Sequence, residues 1–165
     1  MRVLVLSDSH SSLSFMRRAA ERIKPDVIIH LGDHYDDGEA LREENPSVRF
    51  LQVPGNCDRY RTPPFVQEIL IDTVGGVSLY MTHGHIHRVK SGTGQLLAAA
   101  RVCKCDAVLY GHTHQSACWQ DESGMWVLNP GSCGYYGGSV GLMEISDRRI
   151  VSCKILREED LPEIS

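Results

Sequence analysis

The chain predicts an α/β fold in which two facing mixed β-sheets are flanked by helices. Three observations carry that expectation. Short apolar runs recur along the chain and end in Gly, Pro or Asp, the mark of buried strands. Up to residue 103 these runs alternate with stretches of helical spacing, as parallel βαβ units do. After residue 114 the helical spacing disappears and only short strand-like runs continue.

The elements follow in order. Residues 3–6 open as a strand. Residues 12–23 carry Leu13, Met16, Ala19, Ala20 and Ile23 on one helical face; Ser11 or Ser12 caps it and Pro25 ends it. Residues 27–29 form a second strand, and the charged stretch 38–45 a short helix that stops before Pro46. Residues 50–53 give a third strand. Residues 68–74 and 77–81 flank Gly75-Gly76, a two-residue hairpin turn. Leu96, Leu97, Ala100 and Cys103 mark a third helix over 93–103, followed by a strand at 107–110. Residues 117–120, 126–128, 140–145 and 150–156 read as strands, with turns at Glu122-Ser123-Gly124 and Asp147-Arg148-Arg149. The expected layout is a set of βαβ units followed by a meander.

At 165 residues the expectation is one domain, 1–165, with a core that needs no staples. No apolar stretch approaches the ~20 residues of a membrane span. The N-terminal apolar run stops at Ser7-Asp8, too short for a signal peptide, so the expected compartment is the cytoplasm. Net charge is −4 and the basic residues are scattered, Arg17-Arg18 and Arg148-Arg149 being the densest pairs. Without a basic stripe no stable nucleic-acid partner is expected. A nucleotide-sized substrate stays compatible, because bound divalent ions would reverse the local charge. The six cysteines (57, 103, 105, 118, 133 and 153) are expected to be reduced and mostly buried, Cys57 excepted.

Five strand-like runs end in clusters of ligand-type residues: Asp8 and His10; Gly32-Asp33; Gly55-Asn56-Cys57-Asp58; His83-Gly84-His85; and Gly111-His112-Thr113-His114. Sites in open α/β sheets form beyond the strand ends. One rim is therefore expected to carry Asp8, His10, Asp33, Asn56, His83, His112 and His114. Singly, each cluster has a plainer reading as a turn, a helix cap or loop histidines. Together they hold or adjoin seven of the eight histidines, and only His30 lies inside a strand run. Mixed carboxylate and imidazole donors suit Mn, Fe, Zn or Ni better than Ca. Seven donors exceed one tetrahedral ion and suit two ions about 3.5–4 Å apart with a bridging carboxylate. Asp33, alone at its strand end, is the expected bridge. A water shared by the two ions would be the nucleophile, its pKa lowered by them.

These blocks resemble the calcineurin-like metallophosphoesterase superfamily, whose pattern is Asp-x-His, Gly-Asp, Gly-Asn-His-Asp/Glu, a His near a glycine, and Gly-His-x-His. All five blocks occur in order over residues 8–114. The compact size, the Gly-Asn-Cys-Asp variant at 55–58 and Asn129-Pro130-Gly131-Ser132 resemble the small prokaryotic phosphodiesterase subgroup. The resemblance implies a four-layer α/β/β/α sandwich. It implies two divalent transition-metal ions, Mn first, with Ni, Fe and Zn as the others. Asp8, His10 and His114 would hold one ion, Asn56, His83 and His112 the other, with Asp33 bridging. Asp58 would orient its neighbours, and His85 would contact substrate, support a ligand or be structural. The implied catalytic set is Asp33, Asn56, Cys57, Asp58 and His85. The implied reaction is hydrolysis of a small organic or nucleotide phosphodiester by a bridging water or hydroxide attacking phosphorus in line. The implied partners are that small substrate and a second copy of the chain as a homo-oligomer. Two alternatives stand beside it: a non-catalytic metal-containing scaffold resembling the metallophosphoesterase-like subunit of retromer, and a phosphomonoesterase or nucleotide pyrophosphatase using the same centre.

Two departures bear on substrate. Cys57 stands where many relatives have His, and a thiol is a poorer cation and a different acid. Diesters with good leaving groups should then be favoured over monoesters, unless Cys57 is merely a small residue that fits. A Pro-Arg pair common after the 129–132 block is absent, and Tyr135-Tyr136 follow instead; these either stack on a base or aryl group or form the rim. His34 and His87 read as loop residues at the pocket edge.

Overall fold

The computed structural model describes residues 1–134 and 137–164, so Tyr135-Tyr136 lie outside the described residues. The order is β1 (Arg2–Leu6), α1 (Leu13–Ile23), β2 (Val27–His30), α2 (Tyr35–Glu44), β3 (Arg49–Gln52), β4 (Ile69–Val74), β5 (Val77–Thr82), α3 (Gly94–Val102), β6 (Ala107–Leu109), β7 (Ala117–Gln120), β8 (Trp126–Asn129), β9 (Ser139–Ser146) and β10 (Arg149–Arg157). Short 3₁₀ turns at Asn56–Asp58, His85–His87, Val89–Ser91 and Glu158–Asp160 have no counterpart in the sequence expectation.

Two five-stranded sheets form, in the orders β10-β9-β1-β2-β3 and β4-β5-β6-β8-β7. β1, β2 and β3 run parallel, and so do β5, β6 and β8. Side chains alternate between faces along each strand. Val3, Val5, Ile29, Leu79, Met81, Leu109, Leu128 and Met143 fill the space between the sheets. The opposite face of the first sheet presents Leu4, Leu6 and Ile28 to Met16, Ala19 and Ile23 of α1 and Leu41 of α2. The outer face of the second presents Tyr80, Val108 and Val127 to Leu96, Leu97 and Ala100 of α3. The result is the four-layer α/β/β/α sandwich. No helix among the described residues is long and apolar enough to cross a membrane.

The last four strands correct the expected meander. β7 and β8 pair as a hairpin at the edge of the second sheet, whereas β9 and β10 cross to the first, where β9 lies antiparallel to β1. Burial gives the reason: all but two of the eight β9 residues are buried, and a strand covered on both faces belongs inside a sheet. The crossing is held by Ser139 Oγ donating to Pro130 O (2.6 Å) and by Cys133 N–H donating to Ser7 O (3.1 Å).

Two helix boundaries also differ. Ser12 precedes α1 but makes no side-chain cap bond. α2 begins at Tyr35 rather than 38, because the Tyr35 N–H donates to Asp58 Oδ1 (2.9 Å), a partner 23 residues away in sequence.

Candidate metal centre

The parallel strands β1, β2, β5 and β6 end at one rim. Asp8, Asp33, His83 and the 112–114 pair follow those ends directly. Two hydrogen bonds fix the spacing there: Asp8 N–H to Gly32 O (2.9 Å), and Gly111 N–H to His83 O (2.9 Å). Gly32 (φ +98°) and Gly55 let the two loops touch. A Cβ on Gly32 would strike the Gly55 backbone, and one on Gly55 would strike Asp33 Oδ1. Asp8, His10, Asp33, His112 and His114 all have left-handed backbone, with φ of 54°, 45°, 57°, 67° and 60°. Such conformations cost non-glycine residues about 1–3 kcal/mol each and gather where surrounding contacts over-determine them.

All seven candidate donors meet at this rim, around two foci. In the first, His10 Nε2 and His114 Nε2 face each other at 3.3 Å, and His114 Nε2 lies 3.1 Å from Asp8 Oδ1. In the second, His83 donates Nδ1–H to Leu31 O (2.7 Å). The other ring nitrogen, Nε2, points into the site. That atom faces Asn56 Oδ1 at 3.1 Å, Asp33 Oδ2 at 3.5 Å and Asp8 Oδ1 at 3.8 Å. His112 packs edge-on against His83, with ring centroids 5.0 Å apart. Asp8 Oδ2 accepts from Ser7 Oγ (2.6 Å) and His112 N–H (3.1 Å). Asp8 Oδ1 is buried and accepts no hydrogen bond, although three imidazole nitrogens lie within 4.0 Å. Buried polar atoms ordinarily find partners. Lone pairs converging on an orphaned carboxylate oxygen are the geometry a cation fits.

Electrostatics act on three of the donors. Burial, with His83 and Lys90 nearby, pushes His112 down to about 4, so its ring is neutral near pH 7. Burial also lowers His10, outweighing Asp8 and Asp33. Burial opposes ionisation of Asp33, but His83 and the Cys57 N–H (2.9 Å to Oδ1) hold its carboxyl below the usual value. Burial and the Asp33 carboxylate push the Cys57 thiol up, so it is protonated near pH 7.

A buried network lies beneath the donors, and its members were not among the predicted site residues. The Gly32 N–H donates to His30 Nδ1 (3.3 Å). The neutral ring therefore carries its proton on Nε2 and donates to Ser9 Oγ (3.2 Å), which in turn donates to Asp37 Oδ2 (2.7 Å). The Asn129 amide donates to Gly111 O (3.1 Å) and Thr113 Oγ1 (3.0 Å), and Ser132 Oγ donates to Asp8 O (2.7 Å). The hints in the sequence were a polar His30 inside an apolar run and the Asn129-Pro130-Gly131-Ser132 block. Asp58 is fully buried, and its carboxylate accepts from the Tyr35 and Gly55 N–H groups. His85 reaches Glu68 (3.3 Å), and its ring lies 5.6 Å from that of His83. His34 lies at the rim, 5.2 Å from the His10 ring, and interacts with Ser11 and Arg61. His87 belongs to a 3₁₀ turn and meets the Tyr80 hydroxyl (3.0 Å) instead.

With this geometry in place, three likenesses are informative. A phosphodiesterase from Methanocaldococcus jannaschii is 27% identical over 161 residues, covering 87% of this chain and 93% of its own. The crystal structure of a predicted phosphoesterase from Streptococcus pneumoniae superposes with a TM-score of 0.78 at 25% identity, covering 98% of this chain and 92% of the other. Vps29 from Entamoeba histolytica, solved in complex with zinc, matches with a TM-score of 0.71 at 22% identity, over 95% of this chain and 98% of its own; that likeness speaks to the fold. The family model of the calcineurin-like phosphoesterase superfamily domain matches residues 1–148, and the chain belongs to that superfamily.

Proposed function

We propose that the whole chain, 1–165, acts as a dinuclear-metal phosphodiesterase on small organic or nucleotide phosphodiesters. The observation that carries the reading is the orphaned Asp8 Oδ1 at the junction of two donor groups, Asp8 with His10 and His114, and Asp8 with Asp33 and His83. Asp8, His10 and His114 would hold one ion; Asn56, His83 and His112 the other; and Asp33 would bridge them. Mn is the first choice, with Ni, Fe and Zn as the others. Bound ions supply positive charge to phosphate oxygens and acidify water towards neutral pH.

The chain's own residues do the rest. The Leu31 carbonyl holds the His83 ring with Nε2 facing the site, and the Cys57 N–H fixes Asp33 Oδ1 so that Oδ2 turns inward. Asp58 pins Gly55 and Tyr35, which sets the Asn56 loop against Asp33. His85, tied to Glu68, sits where it can meet an ester substituent. Cys57 is exposed beside Asp33 and brings a neutral thiol where a histidine would bring a cation. A leaving alkoxide gains little from it, so monoesters with poor leaving groups are disfavoured. Replacing Cys57 with His should raise the monoester-to-diester ratio about tenfold or more, within the range of general-acid effects; an unchanged ratio makes Cys57 a space-filling residue.

The direct test uses metal-stripped protein with Mn, Ni, Zn or Mg added back, assayed on bis(p-nitrophenyl) phosphate and p-nitrophenyl phosphate. Metal-dependent diester cleavage, lowered by about 10²- to 10³-fold in Asp33→Asn, is the expected result. Greater turnover of the monoester would make it a phosphomonoesterase. Two bound ions per chain without turnover would overturn the enzyme reading in favour of a scaffold. We place the protein in the cytoplasm as a homo-oligomer, with no stable nucleic-acid partner.

A further inference from the structure

Cys118 and Cys153 lie on strands that belong to different sheets. β7 closes one edge of the second sheet and β10 one edge of the first. Cys118 stands opposite Leu128 of β8, and Cys153 opposite Met143 of β9. Directly opposed residues of an antiparallel pair share a face. Leu128 and Met143 are fully buried in the core between the sheets, so both cysteines point into that core from its edge. They pack against it while staying half-buried. Packed sheets ordinarily stand about 10 Å apart. At this edge, Cα atoms of β7 and β10 come within 8 Å of each other. A disulfide asks for Cα atoms about 4.4–6.8 Å apart, so little further closure is needed.

The two thiols meet across the gap. The Cys153 S–H donates to Cys118 Sγ and holds the Cys118 thiol below its usual value, against the effect of burial. The same bond, together with burial, pushes Cys153 up. The thiol with the lowered value is the better placed to attack. The two buried thiols have oxygen partners instead: Cys105 meets Ser78 Oγ and the Cys103 carbonyl, and Cys133 the Ser7 carbonyl. No third donor joins Cys118 and Cys153 among the described residues, whereas a structural zinc ion takes four. The pair suits oxidation better than metal binding.

We infer that Cys118 and Cys153 form a redox-modification site, which a small disulfide such as glutathione disulfide converts to a reversible bond tying the two sheets at their edge. The Cys118 thiolate attacks one sulfur of the small disulfide. That S–S bond breaks, and one thiolate leaves and takes up a proton. Cys153 then gives up its proton, attacks Cys118 Sγ and expels the second thiolate. Two cysteine thiols are oxidised, and one small disulfide is reduced to two thiols. A reducing thiol pool reverses the exchange. β7 follows the His112–His114 pair closely, and β10 belongs to the sheet whose β1 leads into Asp8. The bond would therefore anchor the hairpin behind one donor loop to the sheet that carries the other.

The test incubates the full-length protein with glutathione disulfide, blocks the remaining thiols and maps the peptides by mass spectrometry. The expected product is an intramolecular peptide pair joined through Cys118 and Cys153 and released by dithiothreitol. The cross-linked protein should melt about 4–16 °C higher than the reduced one, the range for one stabilising disulfide in a chain of this size. Exposed Cys103 serves as the control for oxidant access. Cys153→Ser keeps a hydroxyl that can donate to Cys118 and should stop at the glutathione adduct on Cys118. Cys118→Ser should leave Cys153 unmodified; an adduct there as readily formed would refute Cys118 as the attacking thiol. Glutathione on Cys103 with Cys118 and Cys153 both still free would overturn the inference and make the pair a packing contact. Cross-links that join other cysteines, or two copies of the chain, would overturn it too. A Cys118–Cys153 bond that left the melting temperature unchanged or lower would refute the tie between the sheets. The mapping uses the wild-type chain, so the outcome does not depend on either variant folding.

Discussion

His30 should make the metal-free fold acid-sensitive. It is fully buried at the end of β2 and carries no proton on Nδ1, which accepts the Gly32 N–H. Protonating that nitrogen would break the bond and put a cation beneath the site. Burial pushes the imidazole down to about 4, against the pull of Asp58, Asp8 and Asp37 and with the help of His83. Unfolded histidine titrates near 6.5. Between those values the unfolded chain binds the proton and the folded chain does not, so stability falls as pH falls. The loss attributable to His30 is about 2 kcal/mol at pH 5 and about 3 kcal/mol by pH 4, relative to pH 7. Urea unfolding of metal-free wild type and His30→Gln between pH 7.5 and 4.5 measures it. The variant starts lower, by about 1–3 kcal/mol for the weakened network, but its curve should be flatter. His10 and His112 titrate in both proteins, so the difference between the two curves isolates His30. Parallel curves would refute the argument: the ring would then be protonated in the fold, or the network would have absorbed the charge.

Two further predictions concern the core and the thiols. Leu79 is fully buried between the sheets, so Leu79→Ala should cost about 2–5 kcal/mol in urea unfolding, while Val151→Ala at an exposed site should stay within about 0.5 kcal/mol. A loss below about 1 kcal/mol at Leu79 would mean that the inter-sheet core can collapse around the gap. All six cysteines are free. Exposed Cys103 and Cys57 should react with Ellman's reagent in the native protein, Cys57 the slower because its thiol is pushed up beside Asp33. Cys133 is buried, with its thiol pushed up to about 12, and should react only after unfolding; native labelling of Cys133 would contradict the packing beneath Asp8.

Much of this was legible in the sequence because the relevant signals are local. An apolar run ending in Asp, His or Gly-Asn marks both a strand and the donor-bearing loop after it, so the five donor blocks and the parallel halves could be read directly. Signals set by distant partners could not. The start of α2 depends on Asp58, the placement of β9 depends on the open side of β1, and the roles of Ser9, His30 and Asp37 depend on one another across 28 residues. The left-handed backbone of five donors was also hidden. Asp and His carry no mark of it as glycine does, and tertiary contacts impose it. Even the two glycines that touch at the site, Gly32 and Gly55, announce a turn without revealing that each makes room for the other's loop.

The same contacts explain why two sheets are needed. Asp8 and His112 stand 104 residues apart, and the His112 N–H donates to Asp8 Oδ2. That bond joins the end of β1 in one sheet to the end of β6 in the other. The Asp8 N–H to Gly32 O bond ties β1 to β2, and Ser132 Oγ on Asp8 O ties in the chain that crosses from β8 to β9. Asp8 is therefore the joint of the fold as well as the residue common to both donor groups. One oxygen secures the sheets and the other is left bare among imidazole nitrogens. In a site built for stability alone, Oδ1 would also be hydrogen-bonded, because an unpartnered buried acceptor costs about 1–3 kcal/mol. The five left-handed residues add to that cost. Packing between the sheets and the network through His30, Ser9 and Asp37 hold the strained arrangement in place. A cation between those lone pairs would turn their repulsion into attraction, so the least favourable part of the metal-free fold is also the part best arranged to bind an ion.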